Sequence, residues 1–133
     1  MKFSSSKWLA YTFLVGLIPL LTRLLVWAST AQDVVNIASA ADFVVFGLVL
    51  HVSIINETEH LPSRENDWKT IQNGMAIVFI SIYSALYAVS VVGEKNSQLI
   101  DAYTILWVSV GVAATSTAIS FIIIYRLSKR SAR

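Results

Sequence analysis

Long apolar stretches alternate with short polar segments along the whole chain of 133 residues. The apolar stretches cover residues 8–31, 34–56, 70–93 and 102–125, and the last two contain no charged residue. A bilayer core of about 30 Å is crossed by roughly 20 apolar residues in a helix, so each stretch is long enough to span it. The pattern predicts an all-α integral membrane protein, a four-helix bundle in a single domain over residues 1–133.

The composition distinguishes this protein from a soluble bundle of helices. Hydrophobic residues make up 56% of the chain and charged residues only 14%. A soluble bundle needs a polar face on every helix, and residues 70–93 and 102–125 have none. The first apolar stretch resembles the start of a signal peptide, but it contains Pro19 and Arg23 and is longer than the apolar region of such a peptide. We therefore expect a retained first helix.

The connections and their charges predict how the helices are arranged. Short loops make sequential helices antiparallel, which gives an up-down-up-down bundle. Short loops that carry positive charge stay in the cytoplasm, and Lys95 is the lone lysine or arginine on one side of this bundle. The prediction is a multi-pass protein of the plasma membrane, the bacterial inner membrane, with both termini cytoplasmic. The basic residues on the cytoplasmic side are Lys2, Lys7, Arg64, Lys69, Arg126, Lys129, Arg130 and Arg133.

Two charged residues lie well inside predicted helices, Arg23 in the first and Asp42 in the second. A charge in hydrocarbon costs several kcal/mol unless it is paired or hydrated. If Gln32 and Asp33 form a tight turn, both side chains lie about 12 to 14 Å below the external boundary, at ~1.5 Å per residue. We therefore predict an intramembrane ion pair. It either clamps the two helices in register or forms a polar site in an ion or proton path, and pairing between subunits is a third arrangement.

Further polar side chains recur at helical spacing. The second helix carries a polar stripe on the side of Asp42, and the fourth carries a row of serines. Both are predicted to face neighbouring helices or a pore, although hydroxyls in membrane helices also bond to their own backbone four residues earlier. His51 lies on the opposite face of the second helix, where a bond to a neighbouring helix or lipid headgroup is expected. The stripe comprises Ser39, Asp42, Ser53 and Asn56, and the row comprises Ser109, Ser116 and Ser120.

Small residues repeat along the third and fourth helices. In lipid, small residues let helix backbones approach closely and drive helix association through packing and hydrogen bonds. A monomer of four helices has few faces that bury such rows, so we predict a homo-oligomer. The rows are Gly74, Ser81 and Ala88 in the third helix, and Gly111, Ala114 and Ala118 in the fourth.

The polar segments predict contacts with a partner or with lipid, and they contain no recognisable catalytic motif. The cytoplasmic loop, residues 57–69, and the basic C-terminal end are expected to contact a cytosolic protein or anionic lipids. The basic residues flank membrane helices and form no patch for a nucleic acid. No phosphate-binding glycine loop, nucleophile with a neighbouring base or metal-ligand cluster is recognisable, so we expect no enzyme activity, no metal and no cofactor. The predicted contact residues are Glu57, Glu59, Arg64, Arg126, Lys129 and Arg130.

Two main classes of function remain. A homo-oligomeric pore or other permeability effector would use the polar rows as a path, as an ion channel does. A membrane anchor or sensor would present its cytoplasmic loop to a soluble partner, with Arg23 and Asp42 serving structure alone. A small transporter is a further option. The small multidrug-resistance exporters have a similar length and four helices, but they rely on a glutamate in the first helix, where this chain has Arg23.

In size and topology the chain is similar to small tetraspan membrane components of bacterial phage-defence systems. Those components either conduct ions or act with a cytosolic effector, and the likeness involves length and helix number without a shared motif. It implies a role in antiviral defence, either as a channel or as the membrane subunit of an effector.

Overall fold

Helices make up the secondary structure of this computed structural model, which describes residues 5–60 and 65–131. The elements are α1 (Ser5–Trp8), a π-helical segment (Leu9–Phe13), α2 (Leu14–Ser29), α3 (Ala40–Glu59), α4 (Asn66–Lys95) and α5 (Ala102–Ser131). Because α1, the π-helical segment and α2 follow one another without interruption, they form one continuous first helix. Four helical stretches are long and apolar enough to cross a membrane. The prediction of an all-α chain with four membrane-length helices is confirmed.

The second membrane-length helix begins later than its hydrophobicity predicts. α3 starts at Ala40, and residues 30–39 form an irregular connection in place of the predicted two-residue turn. The backbone of Asp33 is left-handed, with φ of 66°, and that of Ser39 is extended, so neither residue continues a helix. The predicted helix 34–56 is therefore wrong at its start. Its first residues are apolar but rich in side chains branched at Cβ, which favour helix only weakly.

The later start changes the predicted depth of the charged pair. Asp42 lies in the first turn of α3, whereas Arg23 lies further from the end of α2. The predicted depth of about 12 to 14 Å assumed a tight turn and a helix from residue 34, and neither is present, so this derivation does not hold. The two side chains still meet, as their ion pair shows. α4 and α5 run past the apolar stretches 70–93 and 102–125, since charged residues such as lysine and arginine also favour helix.

α3 lies at the centre of the bundle. It packs against α2, α4 and α5, whereas α4 and α5 contact each other less. Val44, Leu50 and Ile54 of α3 are completely buried. Phe46 packs on Gly16 of α2, where a Cβ atom would lie 2.9 Å from the phenyl ring. The close approach of α2 to α3 therefore depends on the absence of a side chain at position 16.

The outer surface of the bundle is strongly apolar. Large side chains are exposed on every membrane-length helix, among them Leu25, Val52, Ile77 and Ile122. Soluble proteins rarely expose contiguous apolar surface on this scale. Such a surface is suited to contact with lipid chains.

Candidate functional site inside the helix bundle

Arg23 of α2 and Asp42 of α3 form an ion pair near one end of the bundle. Nε of Arg23 donates a hydrogen bond to Oδ2 of Asp42. Asp42 is buried, and its place in the first turn of α3 puts its charge near the positive end of the helix dipole. The side chain of Arg23 remains 29% exposed. Its two Nη atoms have no hydrogen-bond partner among the described residues, so they are available to a ligand.

The exposed part of Arg23 lines a cleft of about 520 Å³ at the same end of the bundle. The other walls come from residues 36–40, from the last turns of α4 and from the first turns of α5. Ser39, Ser90 and Glu94 contribute polar groups to these walls. The cleft therefore combines a guanidinium, a carboxylate and hydroxyl groups.

Asp101 holds the start of α5 beside this cleft. Its carboxylate accepts hydrogen bonds from the hydroxyl of Thr104 at 2.6 Å and from the backbone N–H of Tyr103 at 3.1 Å. These bonds favour the charged carboxylate and lower the pKa of Asp101 below its ordinary value. Asp101 therefore acts as the cap of α5 at neutral pH.

A second polar cluster lies deeper in the bundle and joins α3, α4 and α5. Nε2 of His51 and Oγ of Ser116 are 2.9 Å apart, and Oη of Tyr83 lies 2.7 Å from the same Oγ. The imidazole stacks on Phe79 with ring centroids 4.7 Å apart. All three polar residues are 0–1% exposed. Because each of the three side chains both donates and accepts, they form a continuous hydrogen-bonded chain.

The position of Tyr83 in this cluster depends on Gly47. A Cβ atom at position 47 would lie 2.0 Å from Cζ of Tyr83 and 2.3 Å from its hydroxyl oxygen. Only a residue without a side chain leaves room for the phenol ring against α3. A glycine at position 47 is therefore required for Tyr83 to reach Ser116.

Polar contacts continue toward the other end of α3. Nε1 of Trp8 donates to Oγ of Ser53 at 2.8 Å, and Oγ1 of Thr12 lies 2.9 Å from the same atom. Thr12 belongs to the π-helical segment, a form of helix that is often found at functional sites. Further along, Oγ1 of Thr58 donates to Oδ1 of Asn73 at 2.6 Å. These bonds connect α3 to the first helix and to α4.

The residues of the predicted polar stripe do not share one environment. Asp42 and Ser53 both face the first helix, where Arg23 and Trp8 bind them. Ser39 precedes α3 and lines the cleft, while Asn56 is exposed. The stripe is therefore not one continuous polar face.

The predicted serine row lies inside the bundle. Ser109, Ser116 and Ser120 are 0–1% exposed. Oγ of Ser120 donates to the backbone oxygen of Ser116 at 2.7 Å, and Oγ of Ser109 has no hydrogen-bond partner among the described residues. A path that used these serines would run through one protomer, not along an axis between protomers.

The predicted small-residue rows lie on the outside. Gly74, Ser81 and Ala88 of α4 are exposed, as are all members of the row on α5. A Cβ atom at position 74 or at Gly111 would have no neighbour within 4 Å. These rows therefore do not pack helices together within the described chain. The exposed residues of the α5 row are Gly111, Ala114 and Ala118.

Several of the predicted contact residues bind within the chain. Arg130 forms an ion pair with Glu65, and its guanidinium lies 4.9 Å from the ring centroid of Trp68. Glu59 pairs with Lys69, with Oε2 and Nζ 3.9 Å apart. Lys129 lies 4.7 Å over the ring of Tyr125, Glu57 is partly exposed, Arg126 is exposed, and Arg64 lies outside the described residues.

Tyr83 was not predicted to take part in a site. The expected bond of His51 to a neighbouring helix is confirmed, because its partner is Ser116 of α5. The one available signal for Tyr83 was its seven-residue spacing from Ala76, since both are buried on the same face of α4. Within the described residues no group of three histidine, aspartate or glutamate side chains is arranged to hold a metal ion.

Comparison with protein-family models, with curated proteins and with solved structures finds no match for this chain.

Proposed function

We propose that this protein is a small homo-oligomeric membrane protein that raises the permeability of a bacterial inner membrane to protons or cations. The observation that carries this proposal is the hydrogen-bonded chain of His51, Ser116 and Tyr83 in the buried centre of the bundle. Buried ionisable groups in membrane helices commonly belong to ion or proton paths. A chain of groups that donate and accept hydrogen bonds is suited to moving a proton.

Polar groups toward both ends extend this chain. Asp42 precedes His51 by nine residues on α3, about 13 Å along the helix, and its partner Arg23 lines the cleft. In the other direction, Ser53 and Thr58 bond to the first helix and to α4. The protomer interior thus contains polar side chains at successive levels of its central helix.

The proposed path would be closed in this conformation. Between Asp42 and His51, α3 buries Val44 and Phe46, and α5 buries Ala113. An apolar segment of this kind blocks ions by excluding water. The unpaired hydroxyl of Ser109, seven residues before Ser116, is the polar group that lies on the cleft side of this segment.

The proposal includes the up-down-up-down arrangement with cytoplasmic termini and assembly into a homo-oligomer. Contacts between helix ends support the arrangement, because Arg23 near the end of α2 meets Asp42 near the start of α3, and Glu65 before α4 meets Arg130 near the end of α5. The outward rows of small residues support self-association in lipid. A role in phage defence stays a prediction from size and topology.

Proton flux into liposomes tests the function. We compare the wild-type protein with His51→Phe, which keeps the aromatic stack but removes the proton carrier, and with His60→Phe, the same change at an exposed histidine. Wild type and His60→Phe should conduct under an applied potential, and His51→Phe should reduce flux by about a hundredfold or more, from the lower end of the range for losing a proton-transfer group. Flux of all three at the level of protein-free liposomes would contradict the proposal.

A second variant separates conduction from structure. Asp42→Asn removes the negative charge at the cleft end, and we expect reduced cation and proton flux with unchanged oligomeric assembly. Unchanged flux would exclude Asp42 from the path and leave it as a structural partner of Arg23.

The second candidate function is a membrane anchor or sensor for a cytosolic protein. It is favoured by the ordered charged end of the bundle, where Arg130 pairs with Glu65 and lies over Trp68. Co-purification of a soluble partner that is lost on Glu57→Lys or Arg126→Glu would favour this function, and flux through the purified protein alone would favour the first.

A further inference from the structure

The cleft beside Arg23 is surrounded by residues that are typical of the level of lipid headgroups. It is lined by the last turns of α4, which includes Glu94, and by the first turns of α5, where the apolar stretches give way to charged residues. Tyr103 lines the cleft and packs edge-on against Trp107, with ring centroids 6.0 Å apart. Both aromatic side chains are more than half exposed. Tyrosine and tryptophan in such positions are typical of the boundary between membrane and water.

The charges in the cleft favour a ligand that carries both signs. Arg23 presents Nη donors that are free of partners among the described residues, and guanidinium groups bind phosphate oxygens well. Glu94 is exposed, lines the same cleft and has no ion-pair partner among the described residues. Because Asp42 already neutralises Arg23, an anion without a cationic group would meet the uncompensated carboxylate of Glu94.

We propose that this cleft binds the zwitterionic headgroup of phosphatidylethanolamine, with the phosphate on Arg23 and the primary ammonium on Glu94. The ammonium group donates three hydrogen bonds, for which Glu94, Ser90 and Ser39 supply acceptors in the walls. A choline headgroup has no N–H to donate, and a glycerol headgroup has no positive charge. The volume of about 520 Å³ falls within the usual range of ligand sites, roughly 300 to 1,000 Å³.

Native mass spectrometry of the full-length protein tests the site. The protein is released from mixed micelles that contain equal amounts of phosphatidylethanolamine, phosphatidylcholine and phosphatidylglycerol with identical acyl chains. We expect phosphatidylethanolamine to be retained about tenfold more than either of the others, a difference of about 1.4 kcal/mol. Equal retention of the three lipids would overturn the proposal.

Two variants locate the ammonium contact. Glu94→Gln should remove the preference for phosphatidylethanolamine over phosphatidylcholine, and it should not disturb folding because Glu94 is exposed. Glu57→Gln makes the same change near the opposite end of α3 and should keep the wild-type preference. A preference that survives in Glu94→Gln would refute the assignment, and circular dichroism of both variants verifies that they are folded.

A competition arm identifies the source of the headgroup. Water-soluble glycerophosphoethanolamine carries the same phosphate and ammonium groups without acyl chains. We expect an excess of it to leave the bound lipid in place, because the lipid is also held by the apolar surface of the bundle. Displacement of the lipid by the soluble compound would show that the site takes a free solute and would overturn the lipid assignment.

Discussion

The inner and outer faces of α4 and α5 differ in what their polar and small residues do. On the inner faces, Tyr83 and Ser116 are buried and bond to each other. On the outer faces, Ser81 and Thr115 are exposed and donate to backbone oxygens four residues earlier in their own helices, at 3.0 Å and 2.9 Å. The same hydroxyl chemistry therefore joins helices on one face and is satisfied locally on the other.

This difference shows where small and polar residues carry structural free energy in a membrane bundle. A buried polar group has no alternative partner when its contact is removed, whereas an outward hydroxyl is already satisfied by its own helix. Outward glycines leave a groove that only another helix or lipid can fill. Matched changes on the two kinds of surface should therefore differ in their effect on the free energy of unfolding.

The largest effect is expected at the ion pairs. Arg23→Leu leaves the buried carboxylate of Asp42 without a partner and should lower the free energy of unfolding by about 3 kcal/mol, the lower end of the range for breaking a buried pair. Arg130→Leu breaks the more exposed pair with Glu65 and should cost about 1 kcal/mol. Unfolding by a denaturing detergent in mixed micelles measures both. Equal losses in the free energy of unfolding would contradict the expected difference between a buried and a surface ion pair.

The next effect is expected at the glycines. Gly47→Ala forces Tyr83 away from α3, because the added Cβ overlaps the phenol ring, and should cost about 2 kcal/mol. Gly74→Ala on the outer face meets no atom within 4 Å and should be neutral or stabilising by up to about 1 kcal/mol. The same unfolding titration compares them. A neutral Gly47→Ala would mean that Tyr83 occupies another position.

A smaller effect is expected at neighbouring hydroxyls of α5. Ser116→Ala removes the shared partner of His51 and Tyr83 and should cost about 1 to 2 kcal/mol, since it leaves buried polar groups unpaired. Thr115→Ala removes a local bond on the exposed face and should change stability by less than about 0.5 kcal/mol. The unfolding titration used for the glycines measures both changes. Similar effects of the two changes would argue against a buried cluster.

The smallest effect on folding, and the largest on association, is expected at the outward glycine of α5. Gly111→Leu fills the groove of the small-residue row and should weaken self-association by on the order of tenfold while leaving the monomer folded. Ile122→Leu on the same helix conserves volume at an exposed position and serves as the control. Energy transfer between labelled copies, diluted in liposomes, measures association. Unchanged transfer in Gly111→Leu would exclude this row from the interface.

Fold class was predictable because hydropathy and length are local properties of the chain. Each apolar stretch is long enough to span a bilayer whatever its neighbours do, and four membrane-length helices are present, the second of them starting later than expected. The contact between Arg23 and Asp42 was predictable for a related reason. Two opposite charges in adjacent apolar helices have few other ways to avoid the cost of lipid.

Tertiary structure decided which faces of the helices meet. The amino-acid sequence placed a histidine in the second helix, but its contacts with Ser116 and Phe79 depend on the rotation of three helices about their axes. The start of α3 depended on backbone conformation at residues 30–39, where apolar side chains gave a misleading signal. The outward direction of the small-residue rows also followed from packing, because Gly47 and Gly16, rather than those rows, allow the close helix contacts. Hydropathy thus determined the four membrane helices, and side-chain shape at the central helix determined the polar interior.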